Sequence, residues 1–420
     1  MKKPFSWDHN SDQPYQLKDR TFKKAMRKKE LISLIGTLLS TLLIAPIAIL
    51  LQTFIPKRSI TTQHFFGMSI NLDKNPEITK SLIDELGIDT VLIRFELWEM
   101  DNINTYFTFT KQYQDKKIIL NIMQDREHVE DLALLKKDLT IIFEKFSPYV
   151  ASFQIGSTIN RAKWGFFSVR EYLRFYQVAY ELKQQFPKIK LLGPSVIDFE
   201  YHFTIHALFN FFRLKYDAIS TLLYVDRRGA PENAQLGYDL LKKIKLLDAL
   251  ALLSPKTKRK IYITETNWPI SNTAPFAPTS EHECVDEESY ANFMVRYYLL
   301  AFASQKIDAV YWHQLIAPGY GLIDNRDGIR KRSAFDAFKT MLMQLENMQF
   351  VNYTEQNDYF TLTLKSNTQH LQIHWALQKQ NSPLLTPTGY ISRDGQHVTD
   401  TEVYVGPAPI YLIKKNTHAI

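Results

Sequence analysis

The chain has 420 residues, 45% hydrophobic and 13% aromatic, enough for two domains around a large core. Its single cysteine, Cys284, excludes an intramolecular disulfide. The net charge of +7 is not a nucleic-acid footprint. Residues 1–30 hold nine Lys and Arg against four acids, which leaves 42 against 40 for the remainder, so the globular part is nearly neutral and no nucleic-acid partner is expected.

Residues 1–30 are polar and basic, the composition of a segment that stays unfolded in water. Residues 31–51, LISLIGTLLSTLLIAPIAILL, form an uncharged run of the length that crosses a bilayer. Pro46 inside it is tolerated in membrane helices. The run is long for a cleaved signal peptide, the rival reading. Basic residues ahead of it predict a single-pass anchor in the cell membrane, its N-terminus cytoplasmic and everything after Lys57 on the far side. The domain boundaries expected are 1–30 for the basic segment, 31–55 for the transmembrane helix, 60–346 for an α/β domain and 347–420 for a β-sandwich-like domain.

From residue 64 strands and helices alternate. Strands are predicted at 64–71, 90–98, 117–124, 151–158, 189–198, 217–225, 260–265 and 309–315. Helices follow them at 78–87, 104–115, 129–146, 169–186, 201–214, 233–253, 287–304 and 333–345, several stopped by Gly or Pro. Eight such units over about 280 residues predict a (β/α)8 barrel. No glycine-rich phosphate loop follows the first strand, which argues against a doubly wound sheet. After residue 347 the helices give way to short β-rich runs at 350–353, 359–365, 371–376, 397–405 and 409–413, a small antiparallel β domain.

In a barrel of this type the chemistry sits at the carboxyl ends of the strands. Those ends offer Arg94, Glu96 and Trp98 on strand 2, Gln124 and Asp125 on strand 3, and Ser157, Thr158 and Asn160 on strand 4, with Arg161 and Trp164 beyond. Strand 5 gives Ser195 and Asp198, strand 6 Tyr224 and Asp226, strand 7 Glu265, Asn267 and Trp268, and strand 8 Trp312, His313 and Gln314. Carboxylates and amides grip sugar hydroxyls, and indoles stack on the C–H faces of pyranose rings. Four of the six tryptophans fall at or near this face.

The motifs ITETNWP, VYWHQLIAPGYGLID and QIGSTINRAKWG, with the small β domain, resemble clan A glycoside hydrolases over residues 64–415. The chain is most similar to family 39-type enzymes and to membrane-anchored endoglycosidases of biofilm-polysaccharide systems. The resemblance implies that Glu265 is the nucleophile, Arg94 the arginine that keeps it ionised, Tyr224 the hydroxyl that touches it and Trp312 the indole under the sugar. It implies a bacterial setting, a barrel facing the periplasm or cell exterior, and a cell-surface polysaccharide or glycolipid glycan as partner, with the bilayer engaged through residues 31–51. Trp98, Asn160, Asn267, Trp268, His313 and Gln314 complete the expected binding set, and no cofactor is implied. The clan's strand-4 Asn-Glu pair, which supplies the general acid/base, is replaced by Ser157-Thr158. A retaining mechanism needs two carboxyls about 5–5.5 Å apart. The candidate substitutes are Asp125, Asp198, Glu96 and Glu232. Two readings follow: a glycosidase or transglycosidase with an unusual acid, or a catalytically weak barrel that binds polysaccharide during assembly or export. The Pro-rich loop 270–285 is expected over the mouth. Its His282 and Cys284, with Glu281 and Glu283, fall short of a metal site, and Gly319-Tyr320-Gly321 reads as a tight loop at the cleft.

Overall fold

The period-two alternation along the apolar runs is realised as eight parallel strands closed into a barrel in the computed structural model, which describes residues 6–383, 389–399 and 402–415. The strands are β1 (Phe66–Ile70), β2 (Thr90–Glu96), β3 (Lys117–Met123), β4 (Ser152–Ile155), β5 (Lys190–Ile197), β6 (Ala218–Leu222), β7 (Ile261–Ile263) and β8 (Ala309–Trp312). Each pairs with the next, and β8 closes on β1 with Val310 opposite Phe66. The returning helices are α1 (Pro76–Leu86), α2 (Ile103–Lys111), α3 (Leu132–Phe146), α4 (Val169–Leu182), α5 (Tyr201–Leu208), α6 (Leu240–Leu253), α7 (Glu287–Ala303) and α8 (Ser333–Leu345). Side chains of Asp131, Ser168, Asp239 and Asp286 cap α3, α4, α6 and α7 by accepting first-turn N–H groups. The helix expected at 129–146 is split because Asp131 is extended and starts a new helix.

Alternate residues point to opposite faces of a strand. Leu92, Ile119, Leu192, Ala218, Ala309 and Tyr311 meet inside as an apolar floor. Their neighbours Val91, Ile93, Phe153, Ile219, Ile263, Val310 and Trp312 join the core between sheet and helices. One layer above the floor the interior turns polar: Gln154 donates to Asn121 at 3.0 Å and the Ser195 and Ser220 hydroxyls meet at 2.6 Å. The Tyr311 ring fills the floor and its hydroxyl meets Thr90 at 2.8 Å.

The C-terminal region is one five-stranded antiparallel sheet, β9 (Gln349–Gln356), β10 (Tyr359–Lys365), β11 (Gln369–Ala376), β12 (Tyr390–Ile391) and β13 (Ile410–Lys415), in the order β9-β10-β11-β13-β12. It is not the sandwich expected. Phe360, Leu362, Ile373, Trp375 and Tyr411 pack into the same core as the barrel helices, so the barrel itself supplies the second layer. The run 397–405 forms no strand among the described residues: His397 bridges to Ile391, Val403 is a second isolated bridge residue, and residues 400–401 lie outside the described residues.

The N-terminal segment departs furthest from expectation. Residues 6–30 are folded: Trp7–Asp8 pairs with Gln13–Pro14 as a short hairpin, and a helix follows at Arg20–Lys29, capped by Asp19. The next helix, Leu31–Leu51, is long and apolar enough to cross a membrane. Here it lies along α4, α5 and α6. Its small polar stripe faces the barrel, with Thr37 Oγ1 2.7 Å from His206 Nδ1 and the Ser33 hydroxyl accepting from Arg170 N–H at 3.2 Å. Leu31, Ile32, Ile35, Leu38, Leu39, Leu42, Leu43, Ile47 and Leu50 face outward. A helix crossing a bilayer would hold the segment before it and the barrel after it on opposite faces. In this structure the two touch, so a cytoplasmic arm separated from the barrel does not describe this arrangement.

Gly67 is the one floor position that tolerates no side chain, since a Cβ there would sit 2.5 Å from the Tyr311 ring. Gly67→Ala is expected to destabilise the barrel by about 1–3 kcal/mol through overpacking, read as a lower midpoint in a urea melt. An unchanged midpoint would show that the floor has slack.

Candidate functional site

The polar upper layer of the barrel opens into a cleft of about 360 Å³, within the range of small-molecule sites. Arg94 projects into it from β2, two residues above floor residue Leu92. Glu265 enters two residues past the end of β7, and Tyr224 two residues past β6. Arg94 Nη2 donates to Glu265 Oε2 at 2.8 Å, and the Tyr224 hydroxyl donates to Oε1 at 2.7 Å. Glu265 is 9% exposed and Arg94 3%, so the pair is nearly withdrawn from water. Burial and the adjacent Glu265 carboxylate push the Tyr224 phenol well above its ordinary range, which keeps it a donor. The Arg228 guanidinium lies 3.7 Å over the Tyr224 ring. His313 lines the cleft, its pKa driven well below the usual imidazole value by burial and by the Arg94 and Lys74 cations, so the ring is neutral. Asn267 also lines the cleft and donates to the His313 carbonyl at 2.7 Å.

The expected residues divide. Glu265, Arg94, Tyr224, Asn267 and His313 come together in the cleft. Trp268 and Trp312 do not, a correction to the binding set. Strand alternation sends Tyr311 inward and Trp312 outward, where it stacks on Trp268 at 5.7 Å and donates to the Tyr290 hydroxyl at 2.7 Å. Both indoles are fully buried, and the Trp268 N–H is taken by the carbonyls of Arg228 and Gly229. Asn160 is also withdrawn from the cleft, tied by its amide to the Ile197 backbone and to Glu200. Trp98 is not among the residues that line the cleft either; it packs on Trp7, which also packs on the cleft-lining Trp164, and Gln314 is fully buried.

At the end of β4, Gln124 clasps the backbone of Ser157 from both sides, at 2.9 Å and 2.8 Å. Thr158 reaches the cleft with a φ of +52°. Neither carries a carboxyl, and the four candidate substitutes are engaged elsewhere. Asp198 pairs with Arg161 at 2.7 Å, and Glu232 accepts from Arg296 and from Trp375 at 2.9 Å, fastening the C-terminal sheet to the barrel. Glu96 is pushed up to about 7 by burial, and it accepts from the Tyr106 hydroxyl of α2. Asp125 caps the turn at His128 and also meets its imidazole at 2.9 Å.

Among the described residues, the carboxylates lining the cleft are Glu265 and one that sequence reading passed over, Asp12. It stands at the tip of the N-terminal hairpin with a φ of +50° and is 5% exposed. Its Oδ2 accepts from the Tyr320 hydroxyl at 2.6 Å and from Gln314 Nε2 at 3.1 Å, and its Oδ1 lies 3.0 Å from Lys74 Nζ. Burial raises its pKa against the pull of Lys74. Trp7 packs on Trp98 at 5.2 Å and on Trp164 at 5.7 Å, and Gln13 bridges Lys163 and the Pro278 carbonyl. The sequence held a signal for this: Trp7, Pro14 and Tyr15 are poor company for a solvated basic tail. Tyr320 comes from the Gly319-Tyr320-Gly321 loop, where a Cβ on Gly319 would meet the Phe276 carbonyl at 2.1 Å. Glycine thus lets this loop pass beneath the 270–285 loop.

No protein-family model matches the sequence, and no curated protein matches it. Solved structures do match in fold. A family 39 glycoside hydrolase from Bacteroides cellulosilyticus WH2 superposes with a TM-score of 0.62 at 13% identity, over 84% of this chain and 80% of its own. The family 30 subfamily 8 xylanase Xyn30A from Clostridium acetobutylicum gives 0.58 at 10% identity, over 86% and 97%. A family 39 β-xylosidase from Caulobacter crescentus gives 0.56 at 11% identity, over 86% and 98%.

His128 sits between two carboxylates, Asp125 at 2.9 Å and Asp138 at 3.0 Å. Burial lowers its pKa, but the two acids outweigh burial and the net shift is upward. A raised folded-state pKa contributes stability that is fully present below the unfolded value of about 6.5 and fades as pH rises through the folded value. The Tm difference between wild type and His128→Gln is therefore expected to be larger at pH 6 than at pH 9. Equal differences would mean that the imidazole is held neutral.

The fold is that of clan A glycoside hydrolases.

Proposed function

We propose that this protein is a carbohydrate-active barrel that acts on O-glycosidic bonds of a cell-surface glycan, with Glu265 as nucleophile, and that it lacks the acid half of the retaining machinery. The observation that carries this is the buried Glu265 carboxylate, held by Arg94 and Tyr224 and lining the cleft at the strand carboxyl ends. Arg94 at 2.8 Å and the Tyr224 hydroxyl at 2.7 Å fix the orientation of the carboxylate for nucleophilic attack. Attack on the anomeric carbon breaks the glycosidic C–O bond and leaves its electron pair on the departing oxygen. A sugar alkoxide needs a proton at that moment, and Thr158 stands where the proton donor would be. A dinitrophenolate needs none.

The reading thus separates two kinds of substrate. Dinitrophenyl glycosides, offered as a panel of sugars, are expected to label Glu265 covalently, with the glycosyl mass found on its peptide and absent from Glu265→Gln. Thr158→Glu is expected to raise hydrolysis of unactivated glycosides by about 10²–10⁴-fold, the usual worth of a general acid. The backbone there is already left-handed, and Glu is no worse suited to it than β-branched Thr. No adduct with any sugar would remove Glu265 from the nucleophile's role.

The second reading, a glycan-binding factor in assembly or export, is favoured by the missing strand-4 carboxyl and by a cleft already filled from within. Specific binding of a surface glycan by wild type and Glu265→Gln alike, with turnover by neither, would support it. In either reading residues 31–51 hold the barrel at a bilayer.

A further inference from the structure

We propose that the cleft contains a built subsite for the carboxylate of an acidic sugar, and that the chain's own Asp12 occupies it as an intramolecular stand-in for that ligand. The inference deepens the reading above, since it takes the cleft to be the glycan site. The groups that hold Asp12 all belong to the barrel. Lys74 comes from the loop after β1, and Gln314 and Tyr320 come from the segment after β8. Gln314 and Tyr320 are at most 1% exposed, and the Lys74 side chain is 13% exposed. Arg94 is the adjoining wall, its Nη1 3.5 Å from the Asp12 carbonyl while Nη2 holds Glu265. Two amide and hydroxyl donors and an ammonium converging on two carboxylate oxygens form an anion-binding geometry. Buried donors of this kind cost stability when left without an acceptor. Asp73, 3.3 Å from Lys74 and half exposed, is the nearest barrel acid to that ammonium, and it does not fill the position Asp12 takes.

The rest of the hairpin continues the mimicry. Trp7 packs on Trp98 and on Trp164, and Trp164 lines the cleft, where a ligand's sugar ring would stack. Gln13 satisfies Lys163, whose pKa is lowered to about 8 by burial and by neighbouring Arg161. Of the further cations that line the cleft, Arg228 belongs to the barrel and lies over Tyr224, Arg161 is already paired with Asp198 and Glu200, and Lys23 and Arg27 sit on the arm's own helix. Because the arm is tethered, it competes at high effective concentration, and a ligand binds by displacing it.

The test uses the full chain in detergent micelles and reads binding by calorimetry. The probes are a uronic-acid trisaccharide and the same trisaccharide with its carboxylates reduced to hydroxymethyl groups. Asp12→Ala is expected to bind the acidic trisaccharide at least tenfold more tightly than wild type and the reduced one with little change. Adding Lys74→Met to Asp12→Ala is expected to abolish the preference for the acidic form. Trp7→Ala, which loosens the arm without touching the carboxylate subsite, is expected to tighten both probes. Saturating wild type with the acidic probe should also speed tryptic cleavage after Lys18, as the hairpin leaves. Affinity for the acidic probe unchanged in both Asp12→Ala and Trp7→Ala, or a gain equal for the two probes in Asp12→Ala, would overturn the proposal. Binding is read without turnover, so the result stands even if Glu265 transfers no glycosyl group.

Discussion

A carboxylate that is nine-tenths withdrawn from water needs a counter-charge, and Glu265 has one in Arg94. Much of the upper barrel follows from that requirement. Arg94 is placed two residues above the apolar floor, where the β2 alternation points it inward. Asn121, Gln154 and Ser220 form the polar layer that surrounds it. Removing one partner of such a pair leaves an uncompensated buried charge, a loss of about 3–5 kcal/mol. The Tyr224 hydroxyl takes the second oxygen, and Arg228 over its ring supports that donor from behind. The result is a carboxylate fixed at both oxygens before any ligand arrives.

The same alternation decides which aromatic residues can meet a ligand. Eight strand–helix units were legible from periodicity because each strand buries one face against helices and the other inside the barrel. The ion-pair partners were legible as polar residues at strand ends, where an apolar run stops abruptly. The tryptophans were not legible in this way. A sequence places Trp312 at the end of a strand but does not say on which face, and a shift of one residue exchanges core for cleft. Here Tyr311 takes the interior, so Trp312 belongs to the helix layer with Tyr290 and Trp268, and His313 is the next residue to face the cleft. The sandwich expected at the C-terminus failed for a related reason. Four of its strands were found, but the run 397–405 forms none and Tyr390–Ile391 was missed, and one sheet packed on the barrel's helices takes the place of two facing sheets.

The arm was invisible for a different reason. Asp12 meets Gln314 and Tyr320 across some three hundred residues of sequence, and contacts at that separation leave no periodic trace. Charge counting assigned residues 1–30 to solvent because it averages over positions. Most of their lysines and arginines cluster on the helix that follows the hairpin, while Ser11, Asp12 and Gln13 of the hairpin line the cleft and Trp7 packs on Trp98 and Trp164.

The apolar helix ties these parts together. Its polar stripe, Ser33 and Thr37, sits on α4 and α5, and Glu30 at its start accepts from Ser168, the residue that caps α4. The hairpin's place in the mouth and the helix's place on the flank are therefore joined through one short stretch of chain. Leu31, Leu38, Leu42 and Ile47 remain turned outward, an apolar surface that water does not favour and a bilayer would. A helix that moved wholly into a bilayer would have to give up the Thr37–His206 contact, and a helix that crossed one would carry the hairpin away from the barrel. Occupancy of the cleft by Asp12 and full crossing by residues 31–51 are mutually exclusive geometries of one chain.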